Sequence, residues 1–257
     1  MNSREEKLKA FDRLLTIMDE LREQCPWDKK QTFETLRKLT IEETYELGDA
    51  ILDRNLEEIK KEIGDIMLHL VFYAKLGEEE KAFDIADALN AQCEKLIHRH
   101  PHIYGDTKVT DEEEVKQNWE KLKLQEGNKS VLSGVPKSLP ALVKASRIQE
   151  KARGVGFDWE EDKQVWEKVT EELNEFKEAA ESGNQAEAEQ EFGDLLFSLI
   201  NFARFKDIDP ESALERTNKK FIKRFQFLEE NAKAAGKSLS DMSLEEMDVY
   251  WNQAKKL

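Results

Sequence analysis

The chain has 257 residues, 37% of them charged, and a formal net charge of −15. That balance excludes a general nucleic-acid footprint; an anionic protein that handles a phosphate ligand needs a cation and a few local basic side chains. Five prolines and eleven glycines punctuate a sequence rich in Glu, Lys, Leu and Ala, so the predicted fold class is all-α.

No apolar run reaches the ~18–20 residues of a membrane span, and the N-terminus lacks a signal-peptide core. Cys25 and Cys93 form no metal or redox pattern and read as buried, reduced thiols. The expectation is a soluble cytoplasmic protein without membrane or nucleic-acid-polymer partners.

Helical periodicity predicts a first helix from about Arg4 to Glu23, ended by Cys25-Pro26-Trp27-Asp28. Trp27 is expected to be a core anchor, with a lid over a flat ligand as the other reading. A second helix runs from about Thr32 to Asp53. A third, capped by Asn55, runs from about Leu56 to Leu76, with Gly77 as its stop. Its run from Ile66 to Ala74 is apolar nearly all round, and Leu195 to Ala203 repeats it. Helices of this type are buried on more than one side, which in a small bundle predicts a two-fold dimer.

A fourth helix covers about Glu79 to Arg99 and places Lys95 and Arg99 on one face. A basic last turn suited to the helix dipole is one reading of that pair; phosphate binding is the other. The histidines that follow, His98, His100 and His102, have no counterpart in the second half, which argues against zinc. Thr110 with Glu113 opens a helix to about Gln125 that carries Trp119. Residues 127–139 have the one long loop-like composition and divide the chain into domains 1–126 and 140–257.

The second half predicts helices at about Leu139–Lys151, Asp162–Glu181 and Gln185–Phe205. Another runs from Asp209-Pro210 to about Ala235 and carries Lys220 and Arg224, matching Lys95 and Arg99. A last helix, opened by Ser243 with Glu246, carries Trp251. Trp119 and Trp251 hold comparable places; each can stack on a nucleobase or pack in the core.

The informative pattern is acidic. Glu43, Glu46, Glu62 and Asp65 are spaced by 3, 16 and 3 residues, and Glu172, Glu175, Glu191 and Asp194 repeat those spacings at a displacement of 129. Residues i and i+3 share a helix face, and like charges there oppose helix formation by ~0.2–0.5 kcal/mol per pair. The gap of 16 lets a second helix return antiparallel, so that four carboxylates converge. Such a cluster becomes favourable around a hard divalent cation, which takes oxygen ligands. A single such word reads as a solvated helix face; its repetition in identical register favours metal binding.

Seven stretches add up to a specific resemblance: Cys-Pro-Trp-Asp at 25–28, Glu-Glu-Thr-Tyr-Glu at 42–46, Glu-Ile-Gly-Asp at 62–65, Arg-His-Pro-His at 99–102, Pro-Lys-Ser-Leu-Pro-Ala-Leu at 136–142, Val-Gly-Phe-Asp-Trp at 155–159 and Glu-Phe-Gly-Asp-Leu-Leu-Phe at 191–197. In order and over nearly the whole chain, the sequence resembles the MazG family of nucleoside triphosphate pyrophosphohydrolases. The resemblance implies a tandem repeat of two helical-bundle domains in a homodimer. It implies hydrolysis of NTPs and dNTPs to the monophosphate and pyrophosphate, with Mg²⁺ (Mn²⁺ as a possible substitute) and broad base tolerance, as in nucleotide-pool house-cleaning. The implied metal ligands are the two quartets above.

Implied nucleotide contacts are Lys168, Lys220, Arg224 and Trp251, with Lys95, Arg99 and Trp119 in the first half. Glu171 and Glu42 are candidates for orienting the attacking water. Gln190 and Lys61 stand where relatives carry another acid, and Glu187 where some carry a base. No Ser-His-Asp or Cys-His pattern and no phosphate-binding Gly-rich loop offers another route. The rivals are a non-catalytic helical scaffold that binds partners through acidic patches, and a narrow-substrate relative acting on dUTP or phosphoribosyl-ATP.

Overall fold

Each half of the chain is organised by a helical hairpin whose turn is set by local chemistry. The computed structural model describes residues 1–111, 114–115, 118–119, 122 and 130–256. It divides into two compact units, Met1–Val109 and Thr110–Leu257. Every regular element among the described residues is helical.

In the first unit, α1 (Arg4–Gln24) is capped by Ser3, and α2 (Phe33–Leu52) by Thr32, which pairs reciprocally with Thr35. Arg54 takes the left-handed conformation at φ 53°. Asn55 then caps α3 (Leu56–Glu79), its Oδ1 accepting from the Glu58 N–H at 3.3 Å. Those two features turn the chain back on itself and lay α3 along α2. The core is Met18, Leu36, Val71, Phe72 and Leu76, joined by Phe11, Leu14, Leu15, Phe33, Leu39, Leu68 and Tyr73. It draws on the inward faces of α1, α2 and α3. Burying each such side chain is worth about 1.5–3 kcal/mol. Arg22 ties α1 to the end of α3 through Glu79 at 2.7 Å.

Four expectations need correction here. Gly77 does not stop α3, which continues to Glu79. A Cβ at Gly77 would lie 2.7–2.8 Å from the Phe83 ring, so glycine is there to let that ring lie on the helix. The next helix, α4 (Ile85–Arg99), starts later than periodicity suggests because Asp84 caps it, accepting from the Asp87 N–H at 2.9 Å. Trp27 is 56% exposed rather than a core anchor; the buried residue of that turn is Asp28, whose carbonyl accepts from Arg22. Cys25 is half-buried and Cys93 exposed, so neither fills the core. A short helix, α5 (Pro101–Tyr104), follows α4.

In the second unit, α6 (Ala141–Arg153) packs on the hairpin of α7 (Asp162–Ser182) and α8 (Gln185–Phe205). The Gln149 side-chain amide donates to the Phe197 carbonyl at 2.8 Å. The α7–α8 turn repeats the first one: Gly183 sits at φ 75° where Arg54 sits at 53°, and Asn184 caps α8 as Asn55 caps α3. Then α9 (Pro210–Ala234) packs on α10 (Leu244–Ala254), opened by the reciprocal Ser243–Glu246 cap. Val165, Val169, Leu195, Ile200 and Leu228 are buried between these helices. Glu113 and most of the helix expected from Thr110 to Gln125 lie outside the described residues. No helix among the described residues is long and apolar enough to cross a membrane.

Candidate metal centre

The two hairpins bring together carboxylates that lie far apart in sequence. In the first, Glu43 on α2 and Glu62 and Asp65 on α3 have carboxylate oxygens within 4.8 Å of one another. In the second, Glu172 on α7 meets Glu191 and Asp194 on α8 within the same limit, and also Glu171 and Glu175 on its own helix. Glu172 therefore joins both groups. Glu46 and Glu42 are exposed on α2 and stand outside the tight group of the first hairpin.

The buried members are the equivalents Glu62, 2% exposed, and Glu172, 6% exposed. Burying a carboxylate is costly unless it is paired. Lys61 reaches Glu62 Oε1 at 2.9 Å, yet Glu62 Oε2 is buried with no hydrogen-bond partner. Lys168 binds Glu172 at 2.6 Å and Glu171 at 2.8 Å, and these bonds raise its pKa well above the ordinary lysine value. Burial, then Asp65, Glu62 and Glu46, push the Glu43 pKa up. Burial, then Glu175, Asp194, Glu172 and Glu187, do the same to Glu191. Clustered, partly desolvated carboxylates with a buried oxygen left over fit a hard divalent cation, which would satisfy that oxygen and cancel the repulsion.

Beside the first cluster, His69 is buried with Nδ1 unpartnered, and burial lowers its pKa against the pull of Asp65. Its counterpart Ser198 donates to the Leu195 carbonyl at 3.1 Å. The expected nucleotide contacts fall into separate places. Arg224 lies over the Trp251 ring at 6.0 Å, and Phe221 tilts against the same ring at 5.0 Å. Lys220 is exposed on α9 one turn before Arg224. Among the described residues no ion pair joins Lys220 or Arg224 to the carboxylates. Lys95 is exposed and Arg99 half-buried at the end of α4, and Trp119 is half-buried.

Sequence reasoning treated Lys61 and Glu187 only as departures, whereas each faces a cluster member. The pairing of Lys168 was legible in its i, i+3 and i, i+4 spacing to Glu171 and Glu172. That of Lys61 was not, because adjacent helical residues point apart.

Comparison with known proteins bears on the same residues. The family model described as the MazG nucleotide pyrophosphohydrolase domain matches residues 31–104 and 160–226, one stretch over each hairpin. The chain is similar to the nucleoside triphosphate pyrophosphohydrolase/pyrophosphatase MazG of Thermotoga maritima, at 44% identity over 95% of each chain. It is 41% identical to the nucleoside triphosphate pyrophosphohydrolase of Escherichia coli over 97% of this chain and 98% of that one. It is also 48% identical to the protein YabN of Bacillus subtilis, over 98% of this chain but 53% of the other. Two matched stretches, each containing one acidic hairpin, and similarity along the full length of such relatives place this chain in the MazG nucleotide pyrophosphohydrolase family.

Proposed function

We propose that the chain hydrolyses nucleoside triphosphates to the monophosphate and pyrophosphate, the activity that names its relatives in T. maritima and E. coli. Broad base tolerance and clearance of unwanted nucleotides from the pool complete the reading. The observation that carries it is the meeting of the buried Glu172 with Glu191 and Asp194 across the α7–α8 hairpin. We assign Mg²⁺, with Mn²⁺ as substitute, to Glu172, Glu175, Glu191 and Asp194, and to Glu43, Glu46, Glu62 and Asp65 in the first repeat. A bound cation of this kind supplies Lewis acidity toward phosphate oxygens and water.

The protein's own groups have distinct tasks in this reading. Glu171, and Glu42 in the first repeat, orient the attacking water as hydrogen-bond acceptors. Lys168 exchanges its carboxylate partners for phosphate oxygens. Lys220 and Arg224 meet the charge that develops on the departing pyrophosphate, and Trp251 holds Arg224 in place and touches the nucleotide. Lys95, Arg99 and Trp119 have the corresponding tasks in the first repeat. The exposed apolar side chains Ile63, Leu70, Leu196, Phe197 and Leu199 support a homodimer that covers them. We read the protein as cytoplasmic, with the domain junction in 127–139.

The test is pyrophosphate release from a panel of NTPs and dNTPs with Mg²⁺, by wild type, Glu46→Gln, Glu175→Gln and the double variant. Loss with Glu175→Gln alone assigns turnover to the second repeat; partial loss with each assigns it to both. No release by the wild type from any nucleotide defeats the proposal and favours a helical scaffold. Release from one nucleotide alone favours the narrow-substrate reading.

A further inference from the structure

Beyond the carboxylates, toward the α7–α8 turn, the second hairpin carries a cavity of about 370 Å³. Its walls are Phe176 and Phe192, with Ala179, Ala180 and Ala188 between them and Glu189 at the rim. The volume is at the small end of small-molecule sites. The two rings have centroids 5.4 Å apart and an interplanar angle of 53°. They pack on each other tilted rather than stacked, so a flat group would lie on a ring face turned to the cavity.

The cavity is tied to the metal centre by helix register. Phe176 lies four residues after Glu172 on α7, and Ala188 three before Glu191 on α8, spacings that share a helix face. Ala179 and Ala180 lie about 6–8 Å along the helix axis from Glu175, at 1.5 Å per residue. A sugar and its α-phosphate span a comparable distance. Phe192 is 47% exposed even with the Phe176 ring against it.

The first repeat supplies an internal comparison. Its hairpin has the same turn and register, so Ala180 corresponds to Ile51 and Ala188 to Ile59. Phe176 corresponds to Leu47 and Phe192 to Ile63. The second repeat thus has small residues where the first has branched ones, and aromatic residues where the first has aliphatic ones. The exchange trades volume between neighbouring positions and so keeps the hairpin filled, and its outcome in the second repeat is a pair of aromatic rings beside small residues.

Resting on the pyrophosphohydrolase reading, we propose that this cavity receives the nucleobase of the substrate whose phosphates are held at the Glu172 cluster. Stacking on Phe176 or Phe192 uses the π-face that every base has, so it binds without choosing sharply among bases. Ala180 and Ala188 make room for the base, and Glu189 at the rim is placed to accept from an amino group on its edge.

The experiment has two arms on the full chain. In the first, ring resonances of Phe176 and Phe192 are followed by NMR during titration with AMP, CMP or ribose 5-phosphate. The two nucleotides are expected to shift them, and ribose 5-phosphate is not. In the second, Ala180 and Ala188 are both replaced by Ile, the residues that the first repeat already accommodates in this hairpin. The A180I/A188I variant is expected to lose the ring shifts and to raise KM for NTPs roughly ten-fold, with Mn²⁺ binding unchanged. If that variant does not fold, Phe176→Leu, which keeps the bulk but removes the ring, takes its place. Rings that do not respond to nucleotides, or that respond equally to ribose 5-phosphate, overturn the proposal. So does an unaltered KM, or a changed oligomeric state with wild-type KM, which would make the cavity a subunit contact. Absence of NTP turnover in the wild type defeats the enzymatic reading instead, and the ring shifts still decide the pocket.

Discussion

Replacing Glu43 by Gln tests the first carboxylate cluster while keeping its shape. In the metal-free protein Glu43 faces Glu62 and Asp65 with carboxylate oxygens within 4.8 Å of one another. One pair of unit charges at that separation repels by about 0.9 kcal/mol in a water-like medium and about 3.5 kcal/mol at an effective dielectric constant of ~20. Glu43 is only half-buried, and Lys61 already neutralises part of Glu62 at 2.9 Å, so the lower figure governs. Removing the charge therefore stabilises the metal-free hairpin by about 1 kcal/mol, roughly a factor of five in its opening equilibrium.

With Mg²⁺ the sign reverses. A cation at ~100 times its Kd adds about 2.7 kcal/mol to the wild type, and a neutral amide in place of a ligand forfeits most of it. Native-state hydrogen exchange of the α2 and α3 amides reads this hairpin separately from the other. Glu43→Gln is expected to be better protected than wild type in EDTA and less protected in Mg²⁺. If it opens more readily in EDTA, or if Mg²⁺ protects both proteins equally, mutual repulsion relieved by a cation is the wrong description of this cluster.

The raised pKa values of Glu43 and Glu191 predict a pH dependence. A carboxyl whose folded pKa is raised contributes stability at low pH that is lost as pH rises through the folded value. The advantage of Glu43→Gln/Glu191→Gln over the wild type in metal-free thermal melts should therefore shrink as pH falls from neutrality into the carboxylate range. Gly77→Ala places a methyl 2.7 Å from the far end of the exposed Phe83 ring; the swing this forces is offset by the ~1 kcal/mol that alanine gains over glycine in a helix, so Tm is expected to change little while the Phe83 ring resonances shift. Arg204 holds Asp158 through both carboxylate oxygens, one contact being 2.9 Å. Lysine cannot reproduce that fork. Arg204→Lys should speed limited proteolysis at residues 154–159 while leaving helix content unchanged by circular dichroism.

Much of this arrangement could be read from residue types and spacing, for identifiable reasons. Helix α8 runs from Gln185 to Phe205, as periodicity suggests, because Asn184 caps its start and the apolar run ends at Phe205. The meeting of Glu172 with Glu191 and Asp194 follows from spacings of three on two helices joined by a short turn. What escaped was what depends on distant partners. Gly77 looks like a helix stop until Phe83 is seen lying on it, since local propensity contains no information about the ring. Trp27 looks like core, but the neighbouring Asp28, held through its carbonyl by Arg22, takes the buried place. The orphaned oxygen of Glu62 is likewise invisible in sequence, because orphanhood is a property of everything around it.

The two hairpin turns also say how a duplicated chain may drift. Arg54 and Gly183 hold equivalent left-handed positions, so the residue at the turn was free to change even where glycine is the cheaper choice. The count was not. From Glu46 to Glu62 and from Glu175 to Glu191 there are 16 residues, whereas Asp65 to Lys95 is 30 and Asp194 to Lys220 is 26. One extra residue in the turn would swing Glu191 and Asp194 by about 100° around α8 and dissolve the cluster, while four residues gained or lost beyond it leave the carboxylates facing each other. The hairpin is the ruler of this protein: sequence may wander along it, and length may wander outside it, but its graduations cannot move.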